Sequence, residues 1–268
     1  MADDTAVAGP ERTPADRIVF LGHATVLIQL SGVRLLTDPL LRARVAHLRR
    51  QTAPVDPSIS AGTDVALISH LHHDHLDLAS LRLLGGDTPL MVPAGAGAWL
   101  RRRGFETVTE MRVGEVARVG TVAITAVEAR HEGRRYPGGP RAEALGYLVG
   151  GRQEVYFAGD TELFEGMCSG PLRLDVALLP VAGWGRKLGP GHMDPLDAAR
   201  AVRLLRPRVA IPMHWGTLLP IGTRSRHRAR LADPPQLFAR HVGQLAPEVE
   251  VRVLAPGQAT TLFPPDRL

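Results

Sequence analysis

Apolar positions in this chain fall mostly into short runs, β-branched or alternating with polar residues, and in four places they recur with the helical period instead. The runs predict strands at Arg17–Leu21, Thr25–Leu30, Val33–Thr37, Val65–Ser69, Leu90–Val92, Val116–Val119, Val122–Val127, Leu145–Val149, Val155–Ala158, Val176–Pro180, Val209–Pro212, Val249–Leu254 and Ala259–Phe263. Ser31-Gly32 and Gly120 sit where two-strand hairpins must turn. The helical period predicts helices over Leu76–Leu84, Ala96–Arg103, Pro195–Leu205 and Pro235–Leu245. The third opens with Asp194 in capping position and Pro195 in the first turn, and lines up Leu196, Ala199, Val202 and Leu205 on one stripe. Strands far outnumber helices, and the helices fall between them. That pattern predicts sheets covered by helices, an α/β sandwich in one domain over 17–268. Residues 1–16, MADDTAVAGPERTPAD, carry acids and prolines where a secretion signal needs a basic start and an apolar stretch, so a disordered tail is expected there.

Composition narrows the class. With 268 residues and 44% apolar content, the chain can bury a multilayer core unaided. No apolar run reaches the ~18 residues of a membrane helix. The single cysteine, Cys168, excludes an internal disulfide, and together with the missing leader this predicts a cytoplasmic protein. A net charge of +5 is spread along the chain, with Lys187 the sole lysine, so no stable nucleic-acid partner is expected.

One segment stands apart, SHLHHDHLD at residues 69–77. It leaves a buried-strand signature, Val65-Ala66-Leu67-Ile68, and enters a helix that starts near Asp77. On extended chain His70 and His72 point to the same side and His73 points away, while Asp74 and His75 follow from the turn. Imidazole with carboxylate is the ligand set of zinc and related first-row cations; calcium and magnesium prefer oxygen alone. His131, Asp160 and His214 each follow a different predicted strand, at the loop ends where α/β folds assemble sites.

The ordered set His70-x-His72-x-Asp74-His75, His131, Gly159-Asp160-Thr161 and His214 resembles the metallo-β-lactamase superfamily over about Ile18 to Phe263. LGHATVLIQLSGVRLLTDP, GHMDP at 191–195 and HWGT at 214–217 are most similar to its branch with N-acyl-phosphatidylethanolamine-type phospholipase D and ascorbate 6-phosphate lactonase. Glu132-Gly133 departs from that phospholipase pattern, which has a large aromatic and Ser-Gly there, and so points away from a lipid substrate. The resemblance implies an αβ/βα four-layer sandwich. It also implies that His70, His72 and His131 hold one metal, that Asp74, His75 and His214 hold a second, and that Asp160 bridges them. His192 is then expected to contact substrate, and Asp74 to serve catalysis as well as the metal, while His23 and Asp38 would orient ligands.

The function expected is hydrolysis by a metal-bridging hydroxide at a pair of divalent ions about 3.5–4 Å apart, Zn2+ first and Mn2+ or Fe2+ as substitutes. A small-molecule phosphodiester is the favoured substrate. A lactone, amide or thioester would suit the same site, and a binding protein whose metals only brace the fold is the remaining class. Trp184 and Trp215 flank the site loops and could either wall a pocket or simply pack. Arg134, Arg135 and Arg141, like Arg224, Arg226, Arg228 and Arg230, are expected on a solvated face. His47, His73, His227 and His241 are expected at the surface, so replacing His73 should cost nothing.

Overall fold

The computed structural model describes residues 15–167, 174–183, 188–223 and 228–263. Most of the expected tail, Cys168, Trp184, Lys187, Arg224, Arg226 and His227 lie outside the described residues, as do the side chains of Arg228 and Arg230.

Strands β1 (Arg17–Gly22), β2 (Thr25–Leu30) and β3 (Val33–Thr37) form an antiparallel meander. Ser31 and Gly32 both take positive φ, 53° and 85°, as the two-residue turn between β2 and β3 requires. Next come β4 (Arg44–Val45), β5 (Leu48–Arg50), α1 (Pro57–Ser60), β6 (Val65–Leu67), α2 (Leu78–Leu83), β7 (Leu90–Pro93), α3 (Gly97–Arg101) and β8 (Val108–Met111). The second half holds β9 (Val116–Val119), β10 (Val122–Glu128), β11 (Leu145–Gly150), β12 (Glu154–Phe157), β13 (Val176–Pro180) and α4 (Pro195–Leu205). It ends with β14 (Val209–Met213), β15 (Leu218–Pro220), α5 (Arg228–Leu245), β16 (Glu250–Val251) and β17 (Ala259–Thr261).

Two seven-stranded sheets result, ordered β17-β1-β2-β3-β6-β7-β8 and β16-β14-β13-β12-β11-β10-β9. Their facing sides share one apolar core. Val26, Ile28 and Leu30 enter it from β2 and meet Ile124, Tyr147, Phe157 and Leu178 from the other sheet. Leu27, one residue out of phase, turns to the outer face with Val19, Leu21 and Leu36, where Ile59 of α1 packs. Helices α2 and α3 add Leu81 and Leu100 to a second outer cluster, and α4 packs on β13 and α5 on β14 across the second sheet. The order helix, sheet, sheet, helix is the αβ/βα sandwich expected. Each fully buried leucine or phenylalanine contributes about 1.5–3 kcal/mol, so the intersheet core dominates stability.

The short strands β4, β5, β8 and β15 escape sequence reading because two to four residues cannot establish a period. β15, β5 and β4 make a small third sheet, and buried Arg50 ties it to the first by donating to the carbonyls of Leu21 and Leu40. Helix α5 begins seven residues before the expected Pro235 and contains Pro234 and Pro235. Pro235 cannot donate to the Leu231 carbonyl. That oxygen abuts Gly216, whose φ of +67° and 2.8 Å clearance leave no room for a Cβ.

Candidate metal centre

Strand direction gathers the site. In the first sheet β3, β6, β7 and β8 are parallel, and β1 runs with them because two antiparallel pairings separate it from β3. In the second sheet β10, β12, β13 and β14 likewise run one way. His23 follows β1, Asp38 follows β3, His70–His75 follow β6, His131 follows β10, Asp160 follows β12 and His214 follows β14. All therefore leave the carboxyl ends of strands.

His70 Nε2 and His131 Nε2 each lie 3.0 Å from His72 Nδ1, so three imidazoles converge on one point. On the other side His75 Nε2 lies 3.1 Å from His214 Nε2, with Asp74 Oδ2 at 3.7 Å from the first and 3.8 Å from the second. Asp160 stands between: its Oδ2 is 3.1 Å from His75 Nε2, 3.2 Å from His214 Nε2 and 3.5 Å from His192 Nε2. His70, Asp74, His75, Asp160 and His214 are buried, while His72, His131 and His192 are partly open to the cleft. The seven expected ligands and His192 thus form one cluster.

The outward ring atoms decide what the inward ones can do. His75 Nδ1 faces Asp38 Oδ2 at 2.7 Å, His131 Nδ1 faces the Gly191 carbonyl at 2.8 Å, and His214 Nδ1 faces the Ala182 carbonyl at 2.8 Å. His70 Nδ1 lies 3.0 Å from Ser69 Oγ, whose own proton goes to Asp38 Oδ2 at 2.6 Å. Each of these Nδ1 atoms meets an acceptor and so carries a hydrogen, which leaves the Nε2 atoms aimed inward as the positions that a proton or a cation can take. Asp160 adds a carboxylate whose Oδ1 is buried without a hydrogen-bond partner among the described residues. Imidazole nitrogens and carboxylates so converged fit cations, and the groups His70–His72–His131 and His23–Asp74–His75–His214 could each hold one.

The charges agree. Burial opposes ionisation of Asp160, but neighbouring His214 and His75 override it and hold its pKa well below the usual carboxylate range. Burial likewise opposes a proton on His75, yet Asp160, Asp74 and Asp38 raise its pKa well above the ordinary value. His214 is raised against burial by Asp160 and by its bond to Asp74. Burial lowers His131 to about 4 and, with His214, lowers His23 to about 3. Protons on His75 and His214 occupy the places that cations would take.

His23 reaches further into the site than a turn residue would. In the left-handed region at φ 57°, it places Nε2 2.9 Å from Asp74 Oδ2 and accepts the His214 N–H on its carbonyl. Asp38 also receives the Ser69 N–H at 2.7 Å. Trp215 stacks on Phe20 against the core and does not line this cleft, so of its two expected roles it takes packing: the apolar ring finds core surface closer at hand. Arg134 and Arg141 are exposed as expected, but Arg135 is buried and His73 is half-buried. Sequence gives no signal for Arg135, because its partners, the carbonyls of Leu71 and Leu76 and the His73 ring, lie some sixty residues away along the chain. A cavity of about 370 Å³ opens over Asp160, His192 and His214, with Ala46, Leu48 and Leu188 among its apolar walls. A wider, more open groove of about 1060 Å³ reaches only His131 and is edged by Arg112, Arg130, Arg141, Glu128 and Glu143.

Comparison with known proteins agrees with this architecture. Residues 33–215 match the family described as beta-lactamase superfamily domain. The chain is 36% identical over 253 residues to a UPF0173 metal-dependent hydrolase of Methanopyrus kandleri, covering 91% of this chain and 98% of that protein. It is 31% identical to N-acyl-phosphatidylethanolamine-hydrolyzing phospholipase D 1 of Caenorhabditis elegans, over 76% of this chain and 64% of that protein. Among solved structures, Igni18, a metallo hydrolase of Ignicoccus hospitalis, superposes with a TM-score of 0.72 at 27% identity, covering 93% of this chain and 99% of that one. The chain belongs to the beta-lactamase superfamily domain family and is a metal-dependent hydrolase of the metallo-β-lactamase fold.

Proposed function

We propose that this metal-dependent hydrolase holds two divalent cations, most suitably Zn2+, and cleaves a phosphodiester bond in a small molecule. The observation that carries the reading is the set of inward Nε2 atoms of His70, His75, His131 and His214 around an Asp160 carboxylate whose Oδ1 has no hydrogen-bond partner among the described residues. His70, His72 and His131 would hold one cation, Asp74, His75 and His214 the other, with Asp160 shared. Bound there, the cations would supply Lewis acidity and bring a coordinated water from a pKa of about 16 to about 7.

The chain's own groups do the rest. Asp74, fixed by His23 Nε2 at 2.9 Å, accepts hydrogen bonds and orients the attacking water. His192 carries hydrogen on Nδ1, 3.2 Å from the carbonyls of Gly189 and Pro190. Its Nε2 lines the cavity 3.5 Å from Asp160, where it can exchange a proton with the leaving oxygen. A cavity of about 370 Å³ suits a small molecule. The phosphodiester preference rests on the similarity to the phospholipase D relative, and the Glu132-Gly133 departure keeps the substrate short of a lipid.

Metal analysis of the purified chain, followed by assay on bis(p-nitrophenyl) phosphate and γ-butyrolactone before and after chelation, tests this reading. Two cations per chain and a phosphodiesterase activity that chelation removes and Zn2+ restores are expected. Cleavage of the lactone alone would overturn the bond assignment, and one cation or none would overturn the dinuclear centre.

A further inference from the structure

His73 lies between the proposed ligands His72 and Asp74, yet its ring leaves their cluster. Its Nδ1 lies 3.1 Å from Nη2 of Arg135, and its ring stacks on Tyr136 with centroids 6.3 Å apart and planes 20° from parallel. A guanidinium only donates, so His73 Nδ1 must accept and the ring hydrogen must sit on Nε2. Among the described residues Nε2 has no hydrogen-bond partner. The same ring lines the cavity above Asp74, Asp160, His192 and His214.

Arg135 is held as firmly as the ring it fixes. Its Nη1 donates to the carbonyls of Leu71 and Leu76, 2.8 and 2.9 Å away, and its guanidinium lies 5.0 Å from the centre of Trp99. The side chain is buried, so these bonds are shielded from competing water. Arg135 thereby clamps both ends of the turn that carries His72, His73, Asp74 and His75. Among the described residues of the cleft, His73 Nε2–H is thus a donor fixed in place and left without a partner, beside Asp74, Asp160 and the apolar side chains of Leu48 and Leu188.

We propose that His73 is a substrate-positioning residue: its Nε2–H, set by Arg135, donates to a phosphoryl or carbonyl oxygen of the substrate in the cleft. The proposal rests on the hydrolase reading above and adds the group that orients the scissile unit. It reverses the expectation from sequence, where alternation placed His73 away from the cluster and hence at the surface. The ring does point away from the cluster, but the space it enters is the cleft.

Two substitutions separate donation from clamping. In His73→Asn the amide oxygen takes the place of Nδ1 and keeps the Arg135 bond, but nothing replaces Nε2–H. In His73→Gln an amide N–H reaches the Nε2 position. KM and kcat on bis(p-nitrophenyl) phosphate and on γ-butyrolactone, with metal content per chain, are measured for each metal-loaded enzyme. Expected is a KM raised about tenfold in His73→Asn with kcat and metal content retained, and most of the loss recovered in His73→Gln. The same pattern on the lactone alone supports the role of His73 while overturning the phosphodiester assignment. An unchanged KM in His73→Asn overturns the proposal and leaves the hydrolase reading standing, as does a loss of bound metal that His73→Gln fails to repair. No cleavage of either substrate by the wild-type enzyme overturns both.

Discussion

Asp38 Oδ2 lies 2.7 Å from His75 Nδ1, and neither side chain is exposed to solvent. The carboxylate fixes which nitrogen of His75 keeps its hydrogen, and it also holds Ser69 through both N–H and Oγ–H. One carboxylate outside the cluster thus orients two ligand rings of the loop after β6, His75 directly and His70 through Ser69. Asp38→Asn should lower cation affinity about 10–100-fold, because the amide can turn a donor toward His75 Nδ1. Competition against a chromophoric chelator measures this; wild-type affinity in the variant would show that the tautomer is set elsewhere.

Asp160 presents a different case, since it lies within the cluster. Asp160→Ala removes a carboxylate that touches His75, His192 and His214 at once. Activity should fall by at least about 10³-fold and metal content should drop below that of the parent. Elemental analysis beside a single-turnover assay tests both. Retention of full metal content would transfer the shared-ligand role to Asp74.

Chelated protein should be most stable near pH 6.5. Below that value the unfolded chain takes up protons that buried His23, at about 3, and His131, at about 4, refuse. His70 and His72 are lowered in the same sense, while Asp38, raised by burial, opposes with one proton. More protons on the unfolded state means that stability is lost as pH falls from 6.5 toward about 4. Above pH 6.5 the sign reverses, because folded His75 and His214 keep protons the unfolded chain releases, and stability falls as pH rises through their raised values. Urea midpoints from about pH 5 to about pH 8 on metal-free protein should trace this maximum, and a monotonic curve would contradict it.

Gly133→Ala tests the loop between His131 and Ala142. A Cβ at Gly133 would sit 1.8 Å from the Ala142 carbonyl oxygen, so the backbone must move. A loss of about 3 kcal/mol is expected, read as a lowered melting temperature. Because this loop carries both His131 and Arg135, cation affinity should fall with it.

Asp194→Ala supplies the contrast. Asp194 accepts from the backbone N–H groups of Leu196 and Asp197 at the start of α4. Its loss should cost about 1 kcal/mol by thermal denaturation with metal content unchanged. A change in metal content would mean that helix capping also sets His192 and Gly191.

The sequence alone determined the strands, the helix α4 with its cap, and the residue types of the centre. Those follow from local periodicity and from the rarity of a loop such as His70–His75. Periodicity also placed His131, Asp160 and His214 at strand ends, which direction and layer order then brought to one edge of the two sheets. Tertiary structure decided what local pattern cannot encode. It chose the partner of each outward ring nitrogen, several of which are backbone carbonyls of distant loops, Gly191 and Ala182, that carry no signature in sequence. It also carried α5 through two prolines, took Trp215 out of the cleft and turned His73 into it. Alternation states only that a side chain points to the other face of its own segment; what occupies that face is fixed by elements far along the chain, here Arg135 and the loop at Leu188.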